Sequence, residues 1–285
     1  MIDWLDQTLW MPFTDFGFMR RALIAGFALS ISAGPVGVLL LLRRMSLMGD
    51  ALSHAVLPGA AIGYLVAGLS LWAMGIGGLV AGLLVAMMAG FTSRRSRLRE
   101  DASFAGFYLI SLAGGVMIVS LRGSSIDLLH VLFGTILAID ANTLYLIAGI
   151  SSVTLLVLAV LYRPLVMECF DPEFLRTVKG RGGWAHHAFL LLVVLNLIAG
   201  FQSLGTLMAV GMMMLPALVA RLWTSALGSM MLVSVLVGCA ASIMGLVVSF
   251  NVGVASGPAI VLSAGAFYLI SLVISPGGLL GRQHR

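Results

Sequence analysis

Charged residues are scarce in this chain. Asp, Glu, Lys and Arg make up 9% of its 285 residues, whereas hydrophobic residues make up 60% and the mean hydropathy is +1.10. A soluble domain carries about 25% charged residues, because a folded chain needs polar surface to stay in water. The composition excludes a soluble enzyme. It also argues against a nucleic-acid-binding protein, because 16 Lys and Arg are only a small excess over 11 Asp and Glu. It predicts a polytopic membrane protein in contact with lipid.

Lysine is nearly absent, because Lys179 is the only one. A P-loop needs a lysine followed by Ser or Thr, and here Gly180 follows instead. The H-E-x-x-H and G-x-S-x-G motifs of intramembrane metalloproteases and serine hydrolases are also missing. We therefore expect a chain that is not an enzyme and holds no permanent cofactor. Any energy from ATP must come from another polypeptide.

Cysteine is rare, and its two positions indicate neither a disulfide nor a metal site. Cys169 and Cys239 are far apart and form neither a CxxC pair nor a disulfide framework. At the start of the chain, Asp3 and Asp6 stand where a signal peptide would carry positive charge. We expect the first membrane span to be retained.

Long apolar runs are what remains, and their limits are marked by charges and glycines. A membrane-spanning helix needs about 20 mostly apolar residues. Runs of this kind lie at 22–42, 51–69, 72–92, 102–121 and 142–162, twice within 182–220 with a turn near 200–205, and at 226–249 and 258–279. The sequence predicts an all-α protein with about nine transmembrane helices forming one domain over 1–285.

The basic residues predict the orientation. With nine spans, Arg20, Arg21 and Arg122 fall on one side of the membrane and the other thirteen Lys and Arg on the opposite side. Because cytoplasmic loops collect Lys and Arg, we expect the N-terminus outside and the C-terminus in the cytoplasm.

Asp50 is the one acidic residue that this charge pattern leaves within a span, and His54 follows it at a spacing of four. On a helix these side chains lie on one face about 6 Å apart. A carboxylate oxygen and an imidazole nitrogen form half of a site for a divalent transition metal, with Ser46 and Ser53 available for outer hydrogen bonds. Two protomers would supply two Asp and two His, whose charge neutralises the ion.

A second interpretation stays open, in which Asp50 and His54 hydrogen-bond each other and pin neighbouring helices. Pro58 and Gly59 could break or bend the helix just beyond the pair. His186 and His187 fit a membrane interface, His130 follows Asp127 as a weaker ligand pair, and Met212, Met213 and Met214 fit ordinary core packing.

A short cytoplasmic helix is predicted near 171–180. Asp171 can cap it, Pro172 suits its first turn, Glu173 complements its dipole and Gly180 suits its end. Phe174 and Leu175 give this helix an apolar edge.

Four motifs together resemble one family, the permease subunits of bacterial zinc, manganese and iron ABC importers. They are RRMSLMGDALSHAVLPG at 43–59, LFGTILA at 132–138, FDPEF at 170–174 and LPALVARL at 215–222. The resemblance implies a homodimer with the vitamin-B12-importer type of fold in the bacterial inner membrane. It also implies two cytoplasmic ATPase subunits and an extracytoplasmic metal-binding receptor.

The resemblance places Asp50 and His54 in the metal path, with zinc slightly favoured over manganese or iron as the substrate. We further expect Asp171, Glu173, Phe174 and Leu175, or the region from Ala217 to Arg221, to contact the ATPase. The alternative is a different class of transport protein, namely a metal channel or an ion-coupled metal transporter that works without an ATPase. An intramembrane enzyme is a more distant third.

Overall fold

The structure is a computed structural model that describes residues 11–68, 70–95, 100–121, 139–170 and 182–277. Every regular element in these ranges is an α-helix. In chain order the helices are α1 (Met11–Asp15), α2 (Gly17–Leu42), α3 (Ser46–Ala67), α4 (Leu71–Arg95), α5 (Glu100–Leu121), α6 (Ala141–Phe170), α7 (Gly182–Leu204), α8 (Thr206–Trp223), α9 (Leu227–Val252) and α10 (Ser256–Ile274).

Eight of these helices are long and apolar enough to cross a membrane, namely α2, α3, α4, α6, α7, α8, α9 and α10. Helix α5 contains a shorter apolar segment, Ala102–Met117. The long helices α2 to α10 follow the nine predicted apolar runs in order, and the all-α polytopic class is confirmed.

Glycines with positive φ separate two pairs of helices. Gly205, with φ of 97°, lies between α7 and α8, and Gly253, with φ of 74°, follows α9. Other residues rarely adopt these angles, so glycine allows the chain to end one helix and begin the next within a few residues. Both turns lie where the sequence predicted them.

Two helices continue where the sequence predicted an end or allowed a break. Helix α6 does not end near residue 162 but continues through Arg163 and Pro164 to Phe170, because a long Arg side chain near a helix end can extend to the interface without interrupting the backbone. Pro58 does not break α3, which is continuous from Ser46 to Ala67.

The described residues form two compact units. The first lies within Met1–Leu41, Leu128–Val153 and Ala199–Arg285. Here α2 is the most buried candidate span, and it packs through small residues: Gly37 lies against the carbonyl of Met213 on α8, and Gly34 against Ser234 on α9. Without a side chain at these points, the helix backbones approach closely.

The second unit lies within Leu42–Asp127 and Thr154–Ile198. In it, α3 packs against α4, where Gly59 and Gly77 bring the two backbones together, and against α5, where Gly115 lies on Pro58. Small residues at these crossings permit close helix packing in a membrane. This packing holds α3, the helix that carries Asp50 and His54.

Candidate metal-transport site

Asp50 and His54 lie one helical turn apart near the beginning of α3. Nε2 of His54 is 3.7 Å from Oδ1 of Asp50. The helical rise places Asp50 about 6 Å and His54 about 12 Å from the first residue of α3. The predicted juxtaposition of the two side chains is therefore present in the structure.

The distance between the two atoms bears on their role. Hydrogen bonds between nitrogen and oxygen span about 2.7–3.2 Å, so the 3.7 Å separation is not a hydrogen bond. Two ligand atoms that each lie about 2.1 Å from one tetrahedral ion would be about 3.4 Å apart. At 3.7 Å the two groups are within ion-pair distance and close enough for both to reach one metal ion.

The Asp50 carboxylate is exposed although it belongs to a membrane-spanning helix. Its side chain is 62% exposed and that of His54 is 33% exposed. Among the described residues, none donates a hydrogen bond to the Asp50 carboxylate. A charged group costs about 2.5–3.5 kcal/mol at the centre of a transmembrane helix even by insertion scales, and charged groups within spans usually face a polar path or a partner.

Within the described ranges, no group of three or more His, Cys, Asp and Glu could hold a metal ion.

Ser53, expected to contribute an outer hydrogen bond, donates instead to the backbone carbonyl of Asp50 at 2.7 Å. Ser46 is exposed at the start of α3.

Sequence reasoning missed Tyr108 on α5. Its ring stacks on the His54 ring, with centroids 6.0 Å apart and planes inclined by 26°. No sequence motif relates the two residues, because only the packing of α3 on α5 brings them together. A stretch rich in apolar residues gives an isolated tyrosine no distinguishing signal.

Sequence reasoning also missed the surroundings of His186. This histidine is 9% exposed, and its Nδ1 lies 3.4 Å from Nη1 of Arg43. The same guanidinium donates through Nε to the sulfur of Cys169 at 3.4 Å and covers the Phe189 ring at 4.1 Å. Arg43, in the turn between α2 and α3, thus contacts residues of both α6 and α7. His187 is exposed, in keeping with an interfacial position.

Glu168 corrects the expectation that Asp50 is the one acidic residue in a span. It lies within the candidate span Ala141–Cys169 and is 9% exposed. The charge pattern placed the end of this span before Glu168 because it took Arg163 as a boundary.

The residues expected to contact an ATPase are only partly described. Asp171, Glu173, Phe174 and Leu175 lie outside the described residues, as does His130. Ala217 is fully buried in α8, whereas Arg221 is exposed in its last turn. Of these two residues, therefore, Arg221 is the one whose side chain is exposed.

The three methionines of α8 are interior residues. Met212 and Met213 are fully buried and Met214 is 9% exposed. Their burial agrees with the interpretation as packing residues.

Comparisons with known proteins agree on one family. The model of the ABC 3 transport family matches residues 15–275. The chain is 38% identical over 262 residues to the manganese import system permease protein ScaB of Streptococcus parasanguinis, covering 92% of each chain. It is 30% identical to the chelated iron transport system membrane protein YfeD of Yersinia pestis, over 92% of this chain and 86% of that one.

A solved structure extends this likeness to the fold. The structure of PsaBC from Streptococcus pneumoniae in complex with Fab contains a chain that superposes with a TM-score of 0.84 at 34% identity. The match covers 100% of both chains.

Proposed function

This chain belongs to the ABC 3 transport family and is the permease subunit of a metal ABC importer, and we propose that the metal it moves into the cytoplasm is manganese(II). Relatives named for manganese import support this choice, and a relative named for chelated iron makes iron the second candidate. The slight sequence-based preference for zinc has no support from them. A carboxylate ligand beside an imidazole also suits manganese, since carboxylate oxygen favours harder cations.

The observation that carries the proposal is the Asp50–His54 pair. Its two atoms are too far apart for a hydrogen bond but close enough to reach one ion, and the carboxylate is exposed on a membrane-spanning helix. A passing divalent ion would give both groups a partner. The alternative role, a hydrogen bond that pins neighbouring helices, is disfavoured because both residues lie on α3 and are too far apart to bond.

A second copy of the chain completes the site in this proposal. One protomer offers one oxygen and one nitrogen, which are too few to hold a transition metal selectively. A homodimer with its axis along the path would offer two Asp and two His. The two carboxylate charges would then neutralise one divalent ion.

The proposed importer also includes two cytoplasmic ATPase subunits and an extracytoplasmic metal-binding receptor. The segment from Asp171 to Leu175 and the exposed Arg221 are the proposed contacts with the ATPase. This arrangement assigns Arg221 to the cytoplasmic side, as the distribution of basic residues does.

Metal accumulation in a deletion strain tests the proposal. Strains complemented with wild type, Asp50→Asn or His54→Ala are compared for manganese, iron and zinc uptake per folded transporter. We expect wild type to restore manganese uptake and both variants to abolish it at a normal membrane level. Asp15→Asn and His187→Ala are matched controls, since each makes the same change at an exposed site outside α3.

Two results would contradict parts of the proposal. Near-normal metal uptake per folded transporter in Asp50→Asn would show that Asp50 and His54 serve in helix packing and not as metal ligands. Restoration of zinc or iron uptake without manganese would keep the site but reassign the metal.

A further inference from the structure

The contact between Tyr108 and His54 joins two helices at the proposed metal site. Asp50 and His54 both belong to α3, whereas Tyr108 belongs to α5. The nearly parallel rings, 6.0 Å apart at 26°, lie within the range of offset stacking between aromatic rings. The orientation of a site side chain thus depends on a neighbouring helix.

The His54 ring needs such support. The second side-chain torsion of histidine is broad and has no sharp minima, so packing must fix where its nitrogens point. At 3.7 Å, Asp50 does not hold the ring by a hydrogen bond. Among the described residues, no side chain hydrogen-bonds to His54, and the stacked Tyr108 ring restricts its rotation.

The hydroxyl of Tyr108 makes no hydrogen bond within the described ranges, so the contact depends on the face of the ring. The register of α5 on α3 is fixed close by. Gly115 lies directly against Pro58, one turn beyond His54 on α3. The helix packing therefore places the Tyr108 ring at a defined position over the imidazole.

We propose that Tyr108 is a positioning residue for metal transport, whose ring holds His54 with Nε2 directed toward Asp50. This inference rests on the proposed function of that pair. A pre-oriented imidazole binds the ion without first losing rotational freedom, so the ring raises the affinity of the path for manganese(II). The ring acts through His54 and need not contact the ion itself.

Tyr108→Phe and Tyr108→Leu separate the ring from the hydroxyl. Stacked aromatic pairs are worth a modest free energy, so we expect Tyr108→Leu to raise the KM for manganese uptake about two- to tenfold. The maximal rate per folded transporter should change little. Tyr108→Phe keeps the ring and should behave as wild type. Tyr145→Leu makes the same change at an exposed tyrosine of α6 and should have no effect.

A role in folding alone would lower the amount of transporter and the maximal rate without moving KM. Binding of Mn²⁺ to the purified complex, followed by the electron paramagnetic resonance signal of the free ion, gives a second measurement that does not require turnover. The Kd of the purified complex for Mn²⁺ should rise in Tyr108→Leu by the same factor as the KM for uptake.

Three results overturn the inference. An unchanged KM and Kd in Tyr108→Leu would remove the positioning role. An equal defect in Tyr108→Phe would transfer the role from the ring to the hydroxyl. A maximal rate that falls while KM stays constant would show a structural role. Normal uptake by His54→Ala would instead refute the proposed site itself, so the two failures are distinguishable.

Discussion

Asp140 closes the amino end of α6. Its carboxylate accepts a hydrogen bond from the backbone N–H of Thr143 at 2.8 Å, and its carbonyl accepts the N–H of Leu144 at 3.2 Å. This is the arrangement of an N-cap. The hydrogen bond from the Thr143 backbone lowers the pKa of the Asp140 carboxyl below its ordinary value.

We predict that Asp140→Ala destabilises the protein by about 1 kcal/mol at neutral pH, because it removes the cap. Since the pKa is lowered in the folded state, the ionised carboxylate contributes fully above the ordinary value of 3.8 and its contribution is lost as pH falls through the lowered pKa. Thermal unfolding between about pH 6 and about pH 3 measures this. Asp140→Asn is the control, because asparagine caps without titrating; an equal loss at neutral pH in both variants would contradict the assignment.

At the scale of helices, glycines and prolines decide how closely α3 and its neighbours pack. Gly115 has no room for a side chain, because a Cβ there would overlap Pro58. The preceding Gly114 is open, because no heavy atom of the described residues lies within 4 Å of the position of a Cβ. Two adjacent glycines on one helix thus have opposite tolerance.

We predict that Gly115→Ala destabilises the protein by about 1–3 kcal/mol through overpacking. Gly114→Ala should be neutral or stabilising by up to about 1 kcal/mol, since alanine favours a helix over glycine. The melting temperatures of the purified variants test the pair. Equal melting temperatures would show that α5 can move away from Pro58 without cost.

At the scale of the whole molecule, the asymmetry of basic residues predicts which loops face the cytoplasm. The turn between α8 and α9 contains Ser225, and the turn between α9 and α10 contains Ala255; both residues are exposed. Since one span lies between them, the two positions must be on opposite sides of the membrane.

We predict that a membrane-impermeant maleimide applied from outside labels Ala255→Cys but not Ser225→Cys. Both substitutions are made in a chain whose two cysteines, Cys169 and Cys239, are replaced by serine. After the membrane is opened, Ser225→Cys should also react, which controls for its accessibility. The reverse pattern would invert the orientation and place the Asp171–Leu175 segment outside.

Much of this protein is determined by its sequence alone. The low charge and long apolar runs are sufficient for the membrane class. Any apolar segment of about 20 residues is favoured in the bilayer, whatever the rest of the chain does. The Asp50–His54 pair is equally local, since a spacing of four on one helix brings two side chains together without help from the rest of the chain. Glycines at positions 205 and 253 likewise set the turns by their own backbone freedom.

The tertiary structure alone decided which distant residues meet. Tyr108 reaches His54, and Arg43 reaches His186 and Cys169, through the packing of separate helices. The charge pattern also predicted the wrong end for α6, because the helix continues past Arg163 and Glu168 is buried within it. Contacts of this kind depend on helix orientation and depth, which arise when many side chains pack together and which no short motif encodes.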